Sequence, residues 1–180
     1  MFYLDTQTNT RYYLGRSFSY GDRQYTRQVA TRETFLSLGF QEVVIQARPD
    51  DAFYVVSGPN DSGVYSSTPR NLADLKTQYK TDIKHQAYKL IVGTDWYVIR
   101  LLELGASEAP VPANISSFRA AVRTASDARC AEIDACASVA DLEALVKAPS
   151  QLFDENTQTY SDNPAALTQF PEQPETGVYY

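Results

Sequence analysis

The chain has little of what catalysis usually draws on. In 180 residues there is one histidine, one tryptophan, one methionine and two cysteines. A nucleophile–histidine–acid set would need a Ser or Cys folded beside His85, and no nucleophile-elbow wording is present. His85 lies between Lys84 and Gln86 and reads as a solvated helix-face residue. Cys130 and Cys136 are six apart in a helical stretch, which separates them by about 9 Å along the axis. That is too far for a disulfide without breaking the helix. They read as free thiols of a reducing compartment, filling space like small apolar residues. Two such cysteines and one distant histidine match no zinc pattern. The eight glycines are scattered, with no phosphate-cradling spacing among them. Asn60-Asp61-Ser62-Gly63 lacks the alternating acids and downstream glutamate of a calcium loop and reads as a hairpin turn. Asp50 and Asp51 are adjacent, so in a strand they would face opposite ways, and they read as turn formers. No catalytic, cofactor-binding or metal residue is therefore assigned, and the chain is expected not to be an enzyme.

Long apolar runs and an excess of basic charge are missing too. The best apolar run, 98–104, is short and is interrupted by Arg100 and Glu103, so no membrane span is expected. The first residues show no basic region followed by an apolar run, so no signal peptide is expected. The net charge is −6, unevenly placed. Residues 148–180 carry Asp154, Glu155, Asp162, Glu172 and Glu175 without a Lys or Arg, which leaves 17 acids against 16 bases in the rest. A balanced body with an acidic tail lacks the cationic footprint of a nucleic-acid binder.

What is abundant is tyrosine, with 13 copies. A large ring with a polar tip suits surfaces that meet other chains, and it equally suits strands. Tyr12, Tyr13, Tyr160, Phe170, Tyr179 and Tyr180 are the interface candidates.

The pattern predicts an α+β chain in three stretches. Residues 1–68 read as an antiparallel β region, with strand wording at Arg11-Tyr12-Tyr13-Leu14, Glu42-Val43-Val44-Ile45 and Phe53-Tyr54-Val55-Val56. The last two are expected to pair as a hairpin across Pro49-Asp50-Asp51. A short helix over 32–38 closes at Gly39; 20–25 reads as strand or loop. Residues 69–147 read as helical. Pro69 suits a first turn, and Leu72, Leu75, Tyr79, Ile83, Ala87 and Leu90/Ile91 form a stripe expected to pack on the β region. Gly93 interrupts it, and Thr94 or Asp95 can cap a second segment that ends at Gly105. Residues 106–112 are a linker blocked by Pro110 and Pro112. Ile115, Phe118, Val122 and Ala125 mark one face of the next helix, with a possible restart at Ser126-Asp127. Ser138-Val139-Ala140-Asp141 has capping-box spacing. Residues 148–180, acidic and proline-containing, read as an extended or disordered tail. No internal repeat is evident.

Thr94-Asp95-Trp96-Tyr97-Val98-Ile99-Arg100, then Glu103-Leu104-Gly105, then Val111-Pro112-Ala113-Asn114-Ile115 with Phe118-Arg119-Ala120-Ala121-Val122-Arg123, form a distinctive string. Asp141-Leu142-Glu143-Ala144-Leu145 follows. This wording, over about residues 88–147, resembles the C-terminal segment of small tail proteins of tailed bacteriophages, notably those infecting cyanobacteria and other aquatic bacteria. The β-rich front is similar to the variable front of those proteins only loosely, and Phe170-Pro171 is a faint further echo. The resemblance implies a virion tail protein made in the host cytoplasm. Its partners would be other tail proteins of the baseplate or tail fibre, in several copies, with no cofactor, nucleic acid or membrane. It leaves two roles open: an adaptor that stays in the particle, or a fibre-assembly chaperone that leaves.

Physically, the same residues predict an antiparallel helical hairpin folded at Val111-Pro112. Trp96 and Ile99 would pack against Phe118 and Val122. Asp95 suits its helix start and either pairs with Arg119 or Arg123 across the hairpin or stays separately solvated.

Overall fold

The computed structural model describes residues 1–174. The chain is α+β and divides into two compact units, Met1–Pro69 and Arg70–Tyr180.

The first unit begins with a strand that sequence periodicity does not reveal. β1 (Phe2–Asp5) runs between β2 (Thr10–Tyr12) and β5 (Gln41–Val43), antiparallel to both. All four β1 residues are buried, so the strand shows no polar–apolar alternation by which to recognise it. Its side chains still alternate between two clusters. Phe2 and Leu4 pack with Val43 and Ile45, while Tyr3 joins Ala30, Phe35 and Phe40 with Tyr12, Phe18 and Tyr20 around them. The second cluster is largely aromatic, with Tyr3 stacked on Phe35 at 4.7 Å and Tyr12 on Phe40 at 4.8 Å between ring centroids. Residues 20–25 resolve as part of a two-stranded hairpin, β3 (Phe18–Tyr20) with β4 (Arg23–Tyr25). The short helix forms as expected: α1 (Arg32–Ser37) starts at Thr31, whose side chain caps Thr34 N–H, and closes before Gly39 at φ +80°.

The expected hairpin between the Val43 and Tyr54 regions does not form. β5 adds to β1, and β6 (Tyr54–Ser57) pairs with β7 (Ser66–Pro69) around the turn at Asn60-Asp61-Ser62-Gly63. Asn60 organises that turn, its side-chain oxygen accepting from Ser62 and Val64 N–H at 3.0 Å each. Gly63, at φ +77°, brings the turn against the Val44 carbonyl so closely that no Cβ would fit. Pro69 therefore ends a strand and does not open a helix. Asn71 takes the capping position, accepting from Ala73 and Asp74 N–H.

In the second unit, α2 (Leu72–Val92), α3 (Asp95–Leu104), α4 (Ala113–Ala135) and α5 (Val139–Lys147) follow in turn. The stripe on α2 packs on α4: Ala87, Leu90 and Ile91 meet Phe118 and Val122. At the other end Lys80 pairs with Asp134 at 2.8 Å, so the two helices run antiparallel. α4 is uninterrupted through Ser126-Asp127, with Ile115, Phe118, Val122, Ala125 and Ile133 on its buried face. α5 opens with the expected capping box between Ser138 and Asp141.

The tail is more ordered than its composition predicts. β8 (Gln151–Asp154) and β9 (Thr159–Asp162) form an antiparallel hairpin. Beyond it the chain returns to the helices, and Phe170 enters the Ala87–Phe118–Val122 cluster.

Candidate protein-contact surfaces

The residues singled out by sequence fall into four places. The first is the break between α2 and α3. Gly93 ends α2 and leaves Thr94 fully buried. Thr94 does not cap α3 through its side chain. Its hydroxyl instead donates to the Ile91 carbonyl at 2.7 Å and accepts from Arg119 Nη1 at 2.7 Å. The same guanidinium nitrogen reaches Asp95 Oδ1 at 2.7 Å and the Ile91 carbonyl at 3.3 Å. The expected Asp95–Arg119 ion pair is thus present, and Arg119 also holds together the end of α2 and the start of α3. Arg123 is exposed and joins no ion pair among the described residues.

The second place is α3 itself, where the expected packing is corrected. Phe118 and Val122 are buried, but against α2 and Phe170, not against Trp96 and Ile99. The inward face of α3 carries Tyr97, which is buried, with Val98 and Leu101 partly covered. Trp96, Ile99 and Leu102 sit three apart on the outward face and are 43%, 54% and 79% exposed. Ridges three residues apart on a helix share one side, so these form a continuous apolar strip. Beside it lies an open cleft of about 180 Å³ lined by Trp96, Tyr97, Arg100, Ala109, Pro110 and Pro112. Three apolar side chains on one helix face are thus left in water beside this cleft.

The third place is the returning tail segment. Arg129 donates to the Thr168 carbonyl, and Glu132 accepts from Thr168 N–H at 3.0 Å and from its hydroxyl. The Arg129 guanidinium also lies 4.0 Å from the centroid of the Phe170 ring. Two charged α4 side chains therefore clasp one residue of extended chain and seat the next ring. Phe170, expected at an interface, is internal packing. Sequence offered no signal for this clasp beyond the isolated aromatic in a polar tail.

The fourth place is the set of tyrosines. Tyr12 is half-buried, its ring packed into the aromatic cluster. Tyr13 is 41% exposed beneath Arg16. Tyr160, 67% exposed, lies on the outer hairpin against Phe153 with centroids 4.9 Å apart. Tyr179 and Tyr180 lie outside the described residues.

His85 is exposed on α2, and burial raises the Cys136 thiol above its ordinary pKa, which favours the unreactive protonated form. Among the described residues no group of three His, Cys, Asp or Glu side chains is placed to hold a metal, and no helix is long and apolar enough to cross a membrane. No known family model matches the chain, and no curated protein or solved structure is significantly similar to it.

Proposed function

We propose that this chain is a structural protein of a bacteriophage tail, a baseplate or tail-fibre adaptor that acts through protein–protein contacts and stays in the finished particle. The observation that carries the reading is the outward strip Trp96, Ile99 and Leu102 on α3. The strip occupies the segment whose wording resembles phage tail proteins, and the Thr94–Asp95–Arg119 cluster fixes it at its base. An apolar strip on a rigid element loses little conformational freedom on docking, so most of its burial contributes to affinity. The partner this surface fits is an apolar patch of a neighbouring tail protein, with Arg100 at the rim selecting an acidic or carbonyl-rich border.

The test is composition. Particles of the phage that encodes the chain, purified and measured by quantitative mass spectrometry, should hold it in a fixed small ratio to the major tail protein. A Leu102→Lys variant, which retains the fold because Leu102 packs on little, should be lost from particles. Presence in infected-cell lysate with absence from particles would overturn this reading and favour a fibre-assembly chaperone.

A further inference from the structure

The chain builds the same hairpin turn twice. At the first, the Asp5 carboxylate accepts from Gln7 N–H at 2.9 Å and Thr8 hydroxyl at 2.6 Å, and Thr8 and Thr10 hydroxyls meet at 3.0 Å. At the second, Asp154 accepts from Asn156 N–H at 2.8 Å, and Thr157 and Thr159 hydroxyls meet at 2.7 Å. The left-handed residue falls at the same position, Asn9 at φ 56° and Gln158 at φ 55°. Strand register is shared as well: Asp5 faces Thr10, and Asp154 faces Thr159. The spacing Asp-x-x-Thr-x-Thr is therefore a turn code used at both ends of the chain.

The two hairpins differ in what covers them. β1 has β2 on one edge and β5 on the other, and its residues are all buried. β8 has only β9 among the described residues, and every residue of both strands is exposed. Leu152, Phe153 and Tyr160 stand 45%, 46% and 67% in water. An isolated two-stranded hairpin is marginal in water. Free edges are ordinarily blunted by short length, charge or proline; the four-residue β8 carries a single charge, Asp154 at its end, and no lysine or proline.

We propose that the free edge of β8 pairs antiparallel with β8 of a second copy of this chain, giving a four-stranded sheet β9–β8–β8–β9. Twofold symmetry requires one residue to face its own mate, since the axis between antiparallel strands must map an opposed pair, hydrogen-bonded or not, onto itself. Centring on Leu152 places Leu152 against Leu152, Phe153 against Gln151 and Asp154 against Ser150. That register meets no like charges directly, and it sets the two Asp154 residues four positions apart, roughly 13 Å. Such a separation exceeds a Debye length of about 10 Å at 0.1 M salt. The Phe153–Tyr160 pairs of both copies then join on one face. Centring on Phe153 would instead oppose Leu152 with Asp154, a poorer match. This surface is separate from the α3 strip, and the proposal stands whether or not the chain belongs to a phage tail.

Sedimentation of the full chain at rising concentration tests it. A dimer should form, with slowed hydrogen exchange at the amides of β8. Leu152→Lys, which opposes two ammonium groups at the twofold, should weaken that dimer by about tenfold or more. Circular dichroism and Trp96 fluorescence should stay unchanged, because Leu152 is exposed. Leu102→Lys should leave the dimer intact. A monomer at every concentration would overturn the proposal. So would a dimer that resists Leu152→Lys, or one that dissolves with Leu102→Lys instead.

Discussion

Replacing Thr94 with valine tests whether the break between α2 and α3 is held by a buried polar cluster or by packing alone. Valine keeps the shape and exchanges the hydroxyl for a methyl. Thr94 is 0% exposed, donates to Ile91 at 2.7 Å and accepts from Arg119 at 2.7 Å. The first bond is neutral and worth about 1 kcal/mol, and the second is charge-assisted and worth about 1.5–3 kcal/mol. The buried methyl returns about 0.8 kcal/mol. The net loss is then about 2–3 kcal/mol. It should not be larger, because neither partner is orphaned. The Ile91 carbonyl keeps Thr94 N–H at 2.8 Å, and Arg119 keeps Asp95 at 2.7 Å. Asp95→Asn should be milder, under about 1 kcal/mol, since that carboxylate is partly solvated. Urea denaturation followed by Trp96, the only tryptophan and two residues from Thr94, reads this region directly. With a slope of about 1–3 kcal/mol per molar urea, the Thr94→Val midpoint should fall by about 0.7 M or more. A double-mutant cycle with Arg119→Met should give a Thr94–Arg119 coupling of about 1–2 kcal/mol. A coupling near zero, or a Thr94→Val loss no larger than that of Asp95→Asn, would refute the polar-cluster account.

Phe170→Ala should cost about 1.5–3 kcal/mol, below a fully buried phenylalanine because the ring is only half covered; hydrogen exchange at residues 165–173 should quicken while the middle of α4 stays protected. Gly63→Ala should destabilise the first unit by more than about 2 kcal/mol, because a Cβ there would sit 2.4 Å from the Val44 carbonyl oxygen in a left-handed conformation. Gly39→Ala, equally left-handed but in open space, should cost only about 1 kcal/mol, and tyrosine-region circular dichroism on heating compares the two. The Thr8 hydroxyl and the Gln7 and Thr8 backbone hold Asp5 below the ordinary carboxylate pKa. A depressed native value means that its stabilisation is complete above the unfolded value of about 3.9 and is lost as pH falls through the native one. Urea midpoints measured from pH 6 down to pH 3 should therefore fall more steeply for the parent chain than for Asp5→Asn, and equal slopes would contradict it.

The elements that could be read from sequence are those fixed by neighbours in the chain. Ser138 and Asp141 cap α5 through contacts three residues apart, Gly39 ends α1 by its own backbone freedom, and Gly93 breaks the α2 stripe where it stands. Partner choice is different, because it compares surfaces far apart in sequence. Both α2 and α3 offer an apolar face to Phe118 and Val122, and the sequence reading favours the adjacent α3. The structure selects α2, where the small Ala87 admits the Phe118 ring and the Lys80–Asp134 pair fixes the far end. Strand pairing fails in the same way. β5 and β6 are neighbours in sequence, yet β1 takes β5, and burial on both faces erases the alternation that would mark β1. The tail departs from its composition for another reason. Acid and proline content describes an average over residues 148–180, whereas folding there rests on a few positions: Asp154, Thr157 and Thr159 for the turn, Thr168 and Phe170 for the clasp. The turn signal was present all along, since Asp5-x-x-Thr8-x-Thr10 and Asp154-x-x-Thr157-x-Thr159 match position for position although the intervening residues differ. Repeats of this kind are invisible to a search for similar wording. They emerge when the hydrogen bonds that each position must make are compared.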